Sequence, residues 1–373
     1  MKLMINTAHQ RFGGAVQVAL SFINECCAFP EHEYFVMLGP GLQKSVNEEE
    51  FPDNFHFEKF DFGAINFRKS FAIHKAMKAM EMKYKPDVII STTGPTYFHS
   101  KAPQIIGFNL PLYIYPESPY VQTYTGMRRL KFAFKKKLHY YFFKRDASAF
   151  VSQTDDVNQR VRKELGLDKV YTVTNTASAY YNQPESFPNK LKPKTDSLYR
   201  FVTISAFYQH KNLELIGDVA KVLEQRGRKN FEFVLTIKPE ELKRVFKGQA
   251  HITTVGSVPP KECPSLYREC DAMFLPTLAE CFSASYPEAM IMDKPIITTD
   301  LGFARSICGE AALYFKAKDA EAAADQIERL LDDKQLEANL IKQGHQELKK
   351  FDSPQERARK YIDLCILVMK AQA

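Results

Sequence analysis

No stretch of this 373-residue sequence approaches the ~20 consecutive apolar residues that a bilayer-spanning helix needs. The start of the chain turns polar at His9 and lacks the long apolar region and small-residue cleavage site of a signal peptide, so it reads as a first strand. Cysteine is present without a pattern. Cys26, Cys27, Cys263, Cys270, Cys281, Cys308 and Cys365 are odd in number and show neither a Cys-x-x-Cys nor a Cys/His metal spacing. Reduced thiols in a cytosolic compartment are the expectation. There is no Asp-x-Asp motif and no His/Cys cluster, so neither a divalent ion nor another cofactor is implied. The loop His9 to Ala15 contains Gly13 and Gly14 but lacks the full Gly-x-Gly-x-x-Gly spacing and the following acidic residue of a dinucleotide fingerprint, which weighs against a dehydrogenase.

What is present describes a soluble globular chain: 45% hydrophobic residues, 25% charged, and a mean hydropathy of -0.33. A mass of 42.8 kDa suits two domains, each able to bury a core. The formal charge of +7 points to acidic partners, without choosing among nucleic acid, nucleotide phosphates and an anionic membrane face. Much of it lies in Met127 to Arg145, which is basic and aromatic with no acidic residue. Leu130, Phe134, Leu138 and Tyr141 form one helical stripe there, compatible with lying on anionic lipid or with packing behind a basic outer face. No nucleic-acid-binding signature accompanies the patch.

Short apolar runs alternate with helical patterns: Leu3–Thr7, Tyr34–Leu38, Asp87–Ser91, Gln104–Phe108, Ala149–Ser152 and Val170–Thr174 as strands, and Gly14–Cys27 as a helix burying Val16, Leu20, Ile23 and Cys27. Residues 183–198 break the pattern with proline and polar residues and read as a linker. The alternation restarts with Phe201–Ser205, Phe231–Ile237, His251–Val255, Ala272–Leu275, Ile296–Thr299 and Ala312–Phe315. Residues 1–182 and 199–352 are therefore expected to be two parallel-sheet α/β domains. Residues 353–373 open with Ser-Pro-x-Glu, a helix start, and carry an apolar cluster of Ile362, Cys365, Ile366 and Met369 that needs a partner surface.

The stretch Pro276 to Glu288 leaves a strand, carries Glu280 in a loop, and opens a helix bearing Glu288. Carboxylates at the carboxyl end of a sheet accept hydrogen bonds from sugar or ribose hydroxyls, while loop N–H groups face phosphate. A blander account stands beside this one: Ser285-x-x-Glu288 is itself a capping box, and Glu280 a solvated loop acid. In Ser205 to Leu213 another strand enters a helix, and Lys211 stands where a cation meets phosphate or merely solvent.

The order of Thr254 to Val258, Leu266-Tyr267, Cys270 to Thr277, Glu280 to Glu288, Lys294 to Asp300 and Gly309 to Phe315 resembles the nucleotide-binding half of retaining glycosyltransferases of family 4, and the two glutamates resemble their Glu-x7-Glu motif. The resemblance is dense from Phe201 to Leu331. It implies a GT-B fold, two Rossmann-like doubly wound domains facing across a cleft, with residues 353–373 packing back toward the first. It further implies Lys211 and Glu280 as the catalytic pair, with Glu280 beside the donor sugar. Phe282, Ser283, Ala284 and Ser285 would reach sugar and diphosphate, and Glu288 would hold the ribose. The base would pack on Gly256, Ser257 and Val258, and Gly13 and Gly14 would border the donor phosphate. Two departures stand out. Ala206 falls where the family has an arginine, leaving Lys211, His210 or another cation to serve the phosphates, and Asn109 falls near the usual histidine. Asn109 and Glu117 are candidate sugar or acceptor contacts.

The implied activity is retaining transfer of a hexose-type sugar from a UDP- or GDP-sugar to a glycan or lipid-linked acceptor, in bacterial envelope polysaccharide synthesis. The implied place is the cytoplasm, with residues 128–145 as a contact to the inner membrane face. A nucleotide-sugar epimerase of the same fold, a non-catalytic sugar-nucleotide or glycan binder, and a basic membrane- or nucleic-acid-binding module are the rival readings.

Overall fold

Runs such as Val88-Ile-Ile-Ser and Ala272-Met-Phe-Leu are buried from end to end, which only a strand covered on both faces requires. In the computed structural model, which describes residues 1–63 and 67–371, such runs form the centres of two all-parallel sheets. The chain divides into two compact units. The first comprises Met1–Ile114, Tyr124–Asn175 and Asp352–Ala373; the second comprises Tyr115–Thr123 and Thr176–Phe351.

In the first unit the strands are β1 (Lys2–Asn6), β2 (Glu33–Leu38), β3 (Phe55–Lys59), β4 (Val88–Ser91), β5 (Gln104–Gly107), β6 (Ala149–Ser152) and β7 (Val170–Thr172), in the order β3-β2-β1-β4-β5-β6-β7. The edge strand β3 is absent from the expectation above. Only Phe55 of its five residues is buried, and an edge strand facing water has no continuous apolar run to announce it. Helix Gly14–Glu25 buries Val16, Ala19, Leu20, Phe22 and Ile23 against this sheet.

Helix Pro354–Lys370 completes that core. Ser353 accepts from the Glu356 amide at 3.2 Å and Glu356 accepts from the Ser353 amide at 2.8 Å, so the Ser-Pro-x-Glu start is a formed capping box. Ile362 and Cys365 are buried, Ile366 and Met369 pack beside them, and the Tyr361 ring lies 5.0 Å from that of Phe22. Arg357, 2% exposed, pairs with Glu25 and donates to Ser21 at 2.7 Å and Asn175 at 2.5 Å.

The second unit contains β8 (Tyr199–Thr203), β9 (Phe231–Leu235), β10 (Ile252–Thr254), β11 (Ala272–Leu275), β12 (Ile296–Thr299) and β13 (Ala312–Phe315), ordered β10-β9-β8-β11-β12-β13. Phe233 meets Phe201 at 5.3 Å and Phe274 at 5.4 Å, and Phe274 stacks on Phe315 at 5.5 Å. Helices Leu215–Gln225 and Ala320–Asp332 cover this aromatic row with Ile216, Val219, Leu223, Ala324, Ile327 and Leu330. Each such buried valine, leucine, isoleucine or phenylalanine contributes roughly 1.5–3 kcal/mol.

Strand order reverses between β1 and β4 in the first sheet and between β8 and β11 in the second. Where order reverses, the loops beyond the two carboxyl ends part in opposite directions and leave a crevice for ligands.

Candidate functional site

In the second unit the two strands flanking the reversal feed the two loops that carry Lys211 and Glu280. Thr203 at the end of β8 donates to the Phe274 carbonyl of β11 at 2.6 Å, locking the strand ends together. The chain then makes a 3-10 turn at Gln209–Lys211 and leaves it through Asn212 in the left-handed region, φ 54. Asparagine tolerates that conformation, and the turn directs Lys211 toward the other loop. There its ammonium forms an ion pair with Glu280, which is only 8% exposed. Thr277 donates to the same carboxylate oxygen at 2.9 Å. The Leu278 amide donates to the His210 carbonyl at 2.8 Å, joining the two loops through main chain as well. Sequence reasoning missed Thr277, although it stands within the stretch that was singled out.

The capping-box account of Glu288 is not what the structure shows. Helix Ser285–Ile291 starts one residue earlier than that account requires, with Ala284 as its cap and no side-chain capping bond. The carboxyl group instead accepts from the Tyr181 hydroxyl, near Tyr267 and Cys263. Removal from water outweighs the Tyr181 bond and pushes its pKa up to about 7. Tyr181 stands two residues before the expected linker and carried no role in the sequence, yet it is 4% exposed and packs 5.9 Å from the Tyr267 ring. Between the two glutamates, the amides of Phe282, Ser283, Ala284 and Ser285 find no acceptor among the described residues. Successive unpaired N–H groups in a turn are a surface to which an anion binds.

Gly256, Ser257 and Val258 follow β10 at the same end of the sheet. The Gly256 φ of 76 is one that glycine adopts without strain, and its amide donates to Thr254 at 3.1 Å. Glu117 is exposed on the Tyr115–Thr123 segment, which belongs to this unit. Its neighbour Ser118 donates to the Leu278 carbonyl at 2.7 Å, and Tyr120 donates to Gln209 at 2.8 Å, so the segment rests on both loops of the site. His210 does not replace the missing arginine. Burial is the largest effect and lowers its pKa; the Glu280 charge opposes this, and the Lys211 charge adds a lesser lowering, so the cationic form is disfavoured. Ala206 is exposed.

Gly13, Gly14 and Asn109 belong to the first unit. Gly13, at φ 83, precedes helix Gly14–Glu25, and Asn109 follows β5. Beside that glycine turn, at the β1/β4 reversal, Gln10 donates to Thr92 at 2.7 Å and His9 lies 3.3 Å from the Thr93 hydroxyl. Burial lowers the His9 pKa to about 4.

Solved structures share this architecture over nearly the whole chain. A glycosyltransferase from Rickettsia africae superposes with a TM-score of 0.72 at 15% identity, covering 99% of this chain and 98% of that one. Sucrose-phosphate synthase from Thermosynechococcus elongatus gives 0.73 at 14%, covering 99% of each chain. The fold is GT-B. Anabaena HepE in complex with UDP-glucose is a further GT-B structure, with a TM-score of 0.68 at 12% identity over 97% of this chain and 99% of that one. Residues 182–347, the greater part of the second GT-B unit, match the model of the family described as glycosyl transferases group 1. No curated protein matches the sequence.

Proposed function

We propose that this GT-B protein is a retaining glycosyltransferase that moves a hexose-type sugar from a UDP- or GDP-sugar to a glycan or lipid-linked acceptor, in envelope polysaccharide synthesis. The observation that carries the reading is the Lys211–Glu280 pair at the β8/β11 reversal, flanked by the unpaired amides of Phe282 to Ser285. The match of residues 182–347 to a glycosyl transferase family supports it.

In this reading the diphosphate lies against Lys211 and those amides, which stabilise the charge that develops as the nucleoside diphosphate departs. Glu280 turns from its lone cation to the hydroxyls of the donor sugar. Thr277 holds the carboxylate in that orientation, Glu288 takes the ribose, and the base packs on Gly256 to Val258. Retention follows if a leaving-group oxygen takes the acceptor proton on the same face of the sugar, with no side-chain nucleophile.

Thermal shift of the full chain against UDP-, GDP- and ADP-sugars tests donor recognition. A ligand present at about 100 times its Kd stabilises the fold by ~2.7 kcal/mol. NMR of the product's anomeric proton then tests retention. Failure of every nucleotide sugar to bind overturns the reading. The exposed Ala206 favours a second one, a sugar-nucleotide binder without turnover. Donor hydrolysis or transfer that disappears in Lys211→Ala would dispose of it.

A further inference from the structure

The GT-B fold leaves one long helix half uncovered. Gly126–Asp146 carries eight Lys/Arg and a single acidic residue, Asp146, so it alone supplies the formal +7 of the whole chain, and everything else is charge-balanced. Its inner face is fixed by aromatic packing. Phe132 lies 5.3 Å from Tyr113 and 4.9 Å from Tyr124, and Phe143 lies 5.3 Å from Phe108 and 5.8 Å from Phe150. At 100° per residue, Met127, Leu130, Phe134 and Tyr141 fall within about 60° of arc, directly opposite that packed face. They are 64%, 66%, 71% and 59% exposed. Lys131 and Lys135 border the stripe on one side, and Lys137 and Lys144 on the other. All four are exposed, and none has an ion-pair partner among the described residues.

We propose that this helix docks the protein on an anionic lipid bilayer, with the Met127–Tyr141 stripe entering the interface and the four lysines on the headgroups. A bare apolar stripe costs solubility unless something covers it. A second copy of the same face is disfavoured, since each helix would bring its own +7. A phosphate backbone would meet the lysines but leave the stripe uncovered. An anionic membrane surface matches both, because apolar side chains sink about 5–10 Å below the headgroups while flanking cations stay at their level. No described helix is long and apolar enough to cross a membrane, so the contact is peripheral. The inference does not rest on the donor site: vesicle binding needs no nucleotide sugar and is read independently of transfer.

Co-sedimentation of the full chain with vesicles of phosphatidylcholine alone, or with about 30% phosphatidylglycerol, tests it. Binding is expected only to the anionic vesicles, weakening as salt rises. Leu130→Ser with Phe134→Ser should lower it at least about tenfold, and glutamine at Lys131, Lys135, Lys137 and Lys144 should lower it further and flatten the salt dependence. Both variants alter exposed positions, so unchanged thermal melting is the control for folding. Equal binding to zwitterionic vesicles, or full binding by both variants, overturns the proposal. So does a dimer that the serine variant converts to monomer, or a preference for duplex DNA over vesicles.

Discussion

Thr277 is a small residue on which the candidate site depends heavily, because its hydroxyl and the Lys211 ammonium share one oxygen of Glu280. Thr277→Val keeps the shape and removes the donor. It is expected to lower turnover about tenfold with little change in donor affinity, as a positioning loss should. Lys211→Ala removes the charge proposed to meet the leaving diphosphate and should cost about 10²–10³ in kcat, by analogy with the loss of one preorganised donor. Glu288 gives a pH-dependent test. With its pKa near 7, the carboxyl gains a proton as pH falls through neutrality and offers a ribose one acceptor fewer. The kcat/KM for donor should therefore decline on the acid side. The Tyr181 hydroxyl favours the ionised form, so Tyr181→Phe should move that limb to higher pH. An unmoved profile would separate Tyr181 from Glu288 function.

Among the elements, helix Pro354–Lys370 has the sharpest energetic signature. Arg357 is almost wholly buried and faces Glu25, whose pKa burial raises despite the guanidinium beside it. Arg357→Met strands that acid and should destabilise the first unit by about 3–5 kcal/mol, while adding Glu25→Gln should recover part of the loss. Denaturant unfolding of the three variants measures both. This helix was legible in the sequence because its start signal is local: Ser353, Pro354 and Glu356 suffice. The central strands were legible because a doubly covered strand must be apolar throughout. β3 was not, since the edge strand Phe55–Lys59 fully buries one side chain and leaves the others half-buried or exposed, with no continuous apolar run. Lys211 and Glu280 were singled out between a strand and the helix it leads to, and Glu288 in the first turn of such a helix. Thr277 was not, because a threonine three residues before an acid has no signature of its own even though that acid is its partner; Tyr181 was not, because the partner of its hydroxyl is set by tertiary approach. The Ser285-x-x-Glu288 spacing was ambiguous for the same reason: whether the acid turns back to cap or outward to Tyr181 depends on a segment more than a hundred residues away.

At the scale of the molecule, sequence order and spatial membership diverge. Tyr115–Thr123 is embedded in the first half of the chain yet contributes Ser118 and Tyr120 to the second unit, and Asp352–Ala373 does the reverse. A chain ending at Phe351 should therefore lose amide protection in helix Gly14–Glu25 and in β1, which Tyr361, Ile362 and Cys365 help cover, while β8 to β13 stay protected. Hydrogen exchange of the truncated and full chains reads this directly, and equal protection of helix Gly14–Glu25 in both would contradict it.

The same interleaving imposes a schedule on synthesis. β1 to β7 have all been made by Asn175, yet the helix that closes their core comes last. At roughly 5–20 residues per second the wait is about 10–40 s. Throughout that interval the apolar face of helix Gly14–Glu25 remains without its cover. The unit that begins to emerge first is thus the one that finishes folding last, and of the two it has the greater need of a chaperone.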